Sequence, residues 1–287
     1  MLERMAQPLA GLSRWIAKLV NVTYRVLGTP GKLLQDLLNG SWLGHALHPI
    51  LVDVVIGGST AAVLLLVLGW FGVEGMTTAI AWILALVCLS ALAAIASGLT
   101  DYKDTTSGAE QTLAGMHGIV NVVGTIGLVV AFFAALGESE TLLAVSLLGG
   151  YLVLSFGAFV GGHVVFKYGY MVNHNAFPRS TRAKDFTAVL PAADLPDATP
   201  TRAMLGTTAL VVVRRGDVVH ALRETCSHAA GPLSAGELRG DGIVCPWHGS
   251  VFDLRTGAVK HGPATTRQVA YEARINGDQV EVKGPMA

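Results

Sequence analysis

Charge is scarce in this chain. Of 287 residues, 20 are Lys or Arg and 20 are Asp or Glu, a charged share of 14%; soluble domains usually carry ~25%. The two signs cancel, so no basic surface for nucleic acid is expected. Cysteine is nearly absent too, with only Cys88, Cys226 and Cys245. Three cysteines cannot build a disulfide framework. The first 40 residues lack a long apolar run and a small-residue cleavage site, so no secretory signal is expected. Length bounds the chain at about two domains.

What is abundant is apolar sequence, in four runs: Ile50–Phe71, Thr78–Leu99, Gly115–Leu136 and Leu142–His163. Each run has 22 residues and almost no charge; a membrane span needs ~20 such residues. They predict four transmembrane helices. The short connections predict antiparallel neighbours. Trp42, Trp70 and Trp82 sit near run ends, where an amphipathic ring prefers the membrane interface. Gly57-Gly58, Gly149-Gly150 and Gly157-x-x-x-Gly161 offer close helix contacts. Before the runs, Leu12, Trp15, Ile16 and Leu19 recur at helical spacing among Arg14, Lys18 and Arg25. Segment 1–40 therefore reads as a basic amphipathic helix, lying on a bilayer or packed on the rest of the chain.

Basic residues set orientation. Arg4, Arg14, Lys18, Arg25 and Lys32 precede the first run, and Lys167, Arg179, Arg182 and Lys184 follow the fourth. Loops 72–77 and 137–141 have none, and loop 100–114 has only Lys103. A plasma-membrane protein with both termini and the C-terminal domain in the cytoplasm is expected.

Polar residues of the apolar region gather at one end. His45, His48 and Asp53 open the first run, Asp101 closes the second, His117 and Asn121 open the third, and His163 closes the fourth. Ionisable groups inside a membrane are functional suspects. His48, Asp53, Asp101, His117 and His163 form a candidate second site. The imidazoles suit a b-type haem, a quinone pocket, another metal, or a hydrogen-bonded network that fixes packing. Residues 44–172 also resemble a bacterial four-helix membrane family of unknown function. The resemblance rests on Leu47-His48-Pro49-x-Leu51-Val52-Asp53, Gly98-Leu99-Thr100-Asp101, His117 and Gly161-Gly162-His163. It implies topology rather than mechanism.

Beyond 172 the composition changes. Residues 173–204 read as a linker, the part from 187 being rich in Ala, Pro, Asp and Thr. Then Leu210–Val213, Val218–Leu222, Ile243–Val244, Val251–Asp253 and Val280–Val282 are short β-type runs, with turn signals at Arg215-Gly216-Asp217 and Asn276-Gly277-Asp278. A small antiparallel β domain over 205–287 is expected. Within it stand Cys226-Ser-His228 and, 16 residues later, Cys245-Pro-Trp-His248. Two thiolates and two imidazoles suit either a zinc site or an iron–sulfur centre. Zinc sites of this composition usually pair Cys with Cys and His with His, so the mixed pairs favour iron and sulfur.

This stretch resembles the Rieske family, in the form Cys-x-His…Cys-x-x-His. The flanks match as well: Gly249, Ser250, Phe252-Asp253, Gly257, and Gly262-Pro263-Ala264 as the loop that covers the cluster. The resemblance implies a [2Fe–2S] cluster with Cys226 and Cys245 on one iron and His228 and His248 on the other. High-potential members add a disulfide between the ligand loops, which this chain cannot form. They also supply a hydroxyl where Ser250 stands and a tyrosine where Phe252 stands. A potential below the respiratory type is therefore expected.

The whole reads as a two-domain membrane protein, a four-helix transmembrane bundle followed by an all-β Rieske domain. A Rieske centre carries one electron and has no substrate site. Only 39 residues follow His248, too few for the separate iron domain of an oxygenase. An electron-transfer component is expected rather than a self-contained catalyst. Its partners would be the lipid bilayer and a redox protein, either a reductase or an oxygenase. The alternative is a ferredoxin subunit with the helices as anchor only. Trp247 would shield the cluster. His174, His220 and His261 show no partner in the sequence, and Cys88 reads as a small packing residue.

Overall fold

The computed structural model describes residues 1–105, 108–176 and 181–286. It divides into two compact units. One joins Met1–Leu34 to Ala46–Tyr170, and the other joins Gln35–His45 to the chain from Met171 onward.

The first unit is helical. Helix α1 (Leu2–Ala6) leads to α2 (Ala10–Asn39), which belongs to this unit up to Leu34. Then come α3 (Leu47–Trp70), α4 (Met76–Tyr102), α5 (Gly108–Leu136) and α6 (Glu140–Tyr168). These four are long and apolar enough to cross a membrane. Each neighbour packs on the next, and α3 returns to α6, so α3 and α5 stand on a diagonal. The core is small and dry, with Ala62, Leu84, Leu128, Ala131 and Leu147 fully buried. Leu86, Leu89, Phe133, Leu152 and Phe159 point outward. That is the inside-out distribution expected of helices solvated by lipid.

Small residues decide the closest approach. A Cβ on Gly127 would lie 2.9 Å from the Gly150 Cα, and one on Gly150 would lie 3.0 Å from the Gly124 carbonyl oxygen. Helices α5 and α6 thus meet backbone to backbone. Gly58 faces the Val87 side chain, whereas Gly57 and Gly149 face open space.

Helix α2 kinks at Gly28, with Pro30 just beyond. Its small and polar face packs on the end of α4. The Tyr102 hydroxyl donates to the Ser13 carbonyl (2.7 Å), Asn21 donates to the Lys103 carbonyl (3.2 Å), and Tyr24 pairs with the Thr100 hydroxyl (2.6 Å). Leu12, Trp15 and Leu19 are left on the exposed face.

The second unit is antiparallel β. A six-stranded sheet runs in the order β1 (Ala183–Pro191), β10 (Gln279–Gly284), β9 (Ala270–Asn276), β4 (Val218–Arg223), β3 (Thr208–Arg215), β2 (Thr201–Leu205). A four-stranded sheet runs β5 (Glu237–Arg239), β6 (Gly242–Val244), β7 (Val251–Asp253), β8 (Val259–His261). Strand β3 is buried on both faces. Val211 and Val213 enter a core with Cys226, Cys245 and Phe252, while Leu210 and Val212 enter another with Val280 and Val282. Period-2 alternation thus assigns one strand to two cores.

The expected linker over 173–204 is corrected here. Strands β1 and β2 occupy much of it and pair with β10 and β3. β1 is an edge strand, so it needs few apolar residues. Its Phe186 is covered by the Arg274 guanidinium, 3.9 Å from the ring centre. Arg179 lies outside the described residues.

Replacing Gly127 or Gly150 with Leu should drive α5 and α6 apart, at a cost of about 3 kcal/mol or more. Gly149→Leu should be tolerated. Thermal unfolding of the detergent-solubilised protein separates the two outcomes.

Candidate metal centre

Two loops of the second unit close by the same pair of bonds. In the first, the Cys226 N–H donates to the Gly231 carbonyl (2.9 Å) and the Ala230 N–H donates to the Cys226 carbonyl (3.0 Å). In the second, the Cys245 N–H donates to the Ser250 carbonyl (2.8 Å) and the Gly249 N–H to the Cys245 carbonyl (3.0 Å). Each turn needs a left-handed residue four places after its cysteine. Gly249 takes φ 77° without penalty, whereas Ala230 takes φ 64° against its steric preference.

These twin turns aim four side chains at one place. Cys226 and Cys245 are buried and not joined as a disulfide. The Cys226 thiol donates to Cys245, which brings the Cys245 thiol down to about 7 and pushes the Cys226 thiol up. The His228 and His248 rings stand nearly perpendicular, with centres 5.0 Å apart, and both Nδ1 atoms are buried. Metal–nitrogen bonds of about 2 Å place two imidazoles on one tetrahedral metal with ring centres about 5 Å apart. The donor set therefore fits a centre with two sulfurs at one end and two imidazoles at the other. Gly231 leaves room beside it, since a Cβ there would lie 2.8 Å from the Cys245 Sγ. Trp247 packs against Gly231 yet stays 55% exposed, so it borders the centre rather than sealing it.

Gln268 holds the first loop. Fully buried, it donates to the Arg223 and Thr225 carbonyls, and its Oε1 accepts from the Ser227 N–H (3.1 Å) and Asn175 Nδ2 (3.0 Å). The Ser227 hydroxyl adds a bond to the Thr266 carbonyl (2.7 Å). Ser250 holds the covering loop, where its Oγ accepts from the Ala264 N–H (3.0 Å). That leaves the hydroxyl's own proton to donate elsewhere. Asp36 fastens the same loop from outside. Its Oδ1 accepts from the Gly262 N–H and its Oδ2 meets His261 Nδ1, each at 2.7 Å. His261, for which the sequence showed no partner, thus has one 225 positions away.

The polar residues of the apolar region do not form one site. Residues His45 and Trp42 belong to the second unit, so neither opens α3. Asp53 is exposed, because five residues carry it about 140° round the helix from His48. His163 lies two residues past Gly161, about 200° round α6. It stands 3.5 Å from Glu3, which also pairs with Lys167. Asp101 ends α4, where its carbonyl accepts from the Tyr170 hydroxyl. His48 and His117 come together, with ring centres 6.1 Å apart. Asn121, one turn from His117, donates to its carbonyl (2.7 Å).

Comparison with known proteins gives two families. Residues 185–272 match the Rieske [2Fe-2S] domain, and residues 44–174 match a predicted membrane protein family, DUF2231. Ferredoxin CarAc of Metapseudomonas resinovorans is 38% identical over 80 residues, covering 28% of this chain and 75% of that one. The anthranilate 1,2-dioxygenase ferredoxin subunit of Burkholderia cepacia is 37% identical over 83 residues, covering 29% and 77%. The solved ferredoxin of carbazole 1,9a-dioxygenase from Nocardioides aromaticivorans is 31% identical, covering 35% of this chain and 99% of that one, with a TM-score of 0.34.

Substitutions at two positions test the supports. Gln268→Leu strips partners from the buried groups of the first loop, each worth about 1–3 kcal/mol. It should cost at least ~2 kcal/mol, read as a lower denaturant midpoint for loss of the visible chromophore. Asp36→Ala should release the covering loop and speed bleaching by a chelator several-fold, with Asp36→Asn intermediate because its Oδ1 keeps the Gly262 bond.

Proposed function

Because the chain belongs to the Rieske [2Fe–2S] family and carries a membrane domain, we propose that it is a membrane-anchored one-electron carrier. The observation that carries this is the convergence of Cys226, Cys245, His228 and His248 on two matched turns. Cys226 and Cys245 would hold one iron and His228 and His248 the other. When bound, the cluster supplies reversible one-electron transfer. The protein's part is to keep the ligand loops rigid, exclude water from the sulfurs and leave one edge open. Val211, Val213 and Phe252 form the dry wall. The exposed Pro246-Trp247 tip beside His248 is the edge a redox partner would meet.

The partner is a soluble reductase or oxygenase. The similarity to dioxygenase ferredoxin subunits supports this choice. It equally supports the second reading, a ferredoxin component whose helices serve only as anchor. In the first reading the bundle holds a second carrier, a haem or a quinone, at its histidine-bearing end.

Lys and Arg distribution supports a cytoplasmic position for both termini and the Rieske domain. The outward stripe of Leu12, Trp15 and Leu19 suits a helix lying at the membrane surface.

Ser250 would tune the cluster. A hydroxyl donated to a sulfur stabilises the reduced state, which carries more negative charge. Voltammetry should give a midpoint potential below the high end of the ~−150 to +300 mV Rieske range. Ser250→Ala should lower it further, by on the order of 60 mV, the one-electron equivalent of a bond worth about 1.5 kcal/mol. Cys245→Ser should abolish the Rieske signal in electron paramagnetic resonance of the reduced protein. A wild-type protein loaded with iron and sulfide yet lacking that signal would refute the reading.

A further inference from the structure

The helix bundle contains the same device twice. In the hairpin α3–α4, His48 Nδ1 meets the Ala94 carbonyl at 2.9 Å. In the hairpin α5–α6, His117 Nδ1 meets the Gly157 carbonyl at 2.8 Å. Four residues beyond each carbonyl stands a glycine that makes room for the ring. A Cβ on Gly98 would lie 2.8 Å from His48 Cε1, and one on Gly161 would lie 2.6 Å from His117 Cε1. Real side chains do not approach so closely, so both imidazoles are seated against bare backbone.

The bonds fix the chemistry of the rings. A carbonyl only accepts, so Nδ1 carries the proton in each imidazole. Nε2 is then the basic nitrogen in both. An Nδ1–H anchored on a carbonyl is also how proteins orient a histidine that ligates a metal. The polar neighbours do not alter this. Ser97 Oγ, 3.4 Å from His48 Nδ1, donates to the Ala94 carbonyl at 3.1 Å. Asn121 Nδ2 is 3.1 Å from His117 Nδ1 but makes its shorter bond to the His117 carbonyl.

The spacing of the rings bears on what they could hold. Their centres are 6.1 Å apart and their planes cross at 79°. With metal–nitrogen bonds of about 2 Å, two imidazoles on opposite sides of one metal have centres about 6 Å apart, and tetrahedral neighbours about 5 Å. The second value is met at His228 and His248 in the same chain. A direct nitrogen-to-nitrogen hydrogen bond of about 3 Å would also draw the centres to about 5 Å. The 6.1 Å between the His48 and His117 centres thus equals the trans spacing and not the tetrahedral one.

A bare ion is a poor occupant. Protein-bound zinc takes at least three protein ligands, and the His48–His117 pair supplies two. A macrocycle that supplies four in-plane nitrogens needs only two axial ligands. We propose that His48 and His117 form a bis-imidazole site for an iron porphyrin between the two hairpins of the bundle. It rests on the reading of the bundle as a redox module, and it chooses haem over quinone there. His163, held by Glu3, takes no part.

The test uses the full-length protein in detergent micelles, produced with added haem precursor and then titrated with hemin. One haem per chain is expected, with the low-spin optical and magnetic circular dichroism spectrum of two axial imidazoles. His48→Ala and His117→Ala should each lose the low-spin spectrum, and His163→Ala should keep it. To separate ligand loss from misfolding, free imidazole added to His117→Gly should restore the low-spin bands. No stoichiometric haem in the wild type overturns the proposal, as does a low-spin spectrum that survives both histidine substitutions. The Rieske signal is read in the same samples. Its presence without haem overturns this inference alone. Its absence in protein that binds haem counts against the cluster reading and leaves the porphyrin site standing.

Discussion

Much of the cluster domain depends on the buried amide of Gln268. A carboxamide has two donors and one accepting oxygen, and here they serve main-chain groups on both sides of Cys226 together with Asn175. Buried polar groups are costly unless paired, so the loop is stable in the one geometry that satisfies them together. That geometry sets the direction of Cys226 and His228. The second loop needs no such hub. It is a tight turn between β6 and β7, already fastened by the hairpin.

The two units solve opposite solvation problems with the same economy of means. In the β unit, water is kept from the sulfurs by Val211, Val213 and Phe252, so the polar work falls to main-chain amides. In the helical unit the surrounding solvent is itself apolar, and the interior can hold polar groups only where backbone carbonyls answer them. His48 and His117 are answered in this way, each by the neighbouring helix of its own hairpin. Glycine is the enabling residue, because removing a side chain exposes a carbonyl and clears a ring's width at once.

The grouping of Cys226 with Cys245 and of His228 with His248 was legible in the sequence because metal-ligand chemistry needs particular side chains at short spacing. So were the membrane helices, whose length and apolarity are set by the bilayer. Strands β1 and β2 were not legible. Edge strands carry polar residues, and β1 shields its one aromatic with an arginine from β9. Gln268, Asn175 and Asp36 were also invisible, since a lone amide or carboxylate has no local pattern and its partners lie far along the chain. The polar cluster in the bundle was legible as a set of residues but not as a geometry. Helical phase, a matter of one or two positions, sends Asp53 and His163 away from the pair formed by His48 and His117.

The fastening of the covering loop by Asp36 has a consequence for biogenesis. Residue 36 leaves the ribosome well before its partners at 261 and 262. All four membrane helices are synthesised in between. The covering loop therefore reaches this fastening only after the membrane helices between have been made. A contact of such long range forms slowly, so the fastening of the loop trails the synthesis of the helices that separate its two halves.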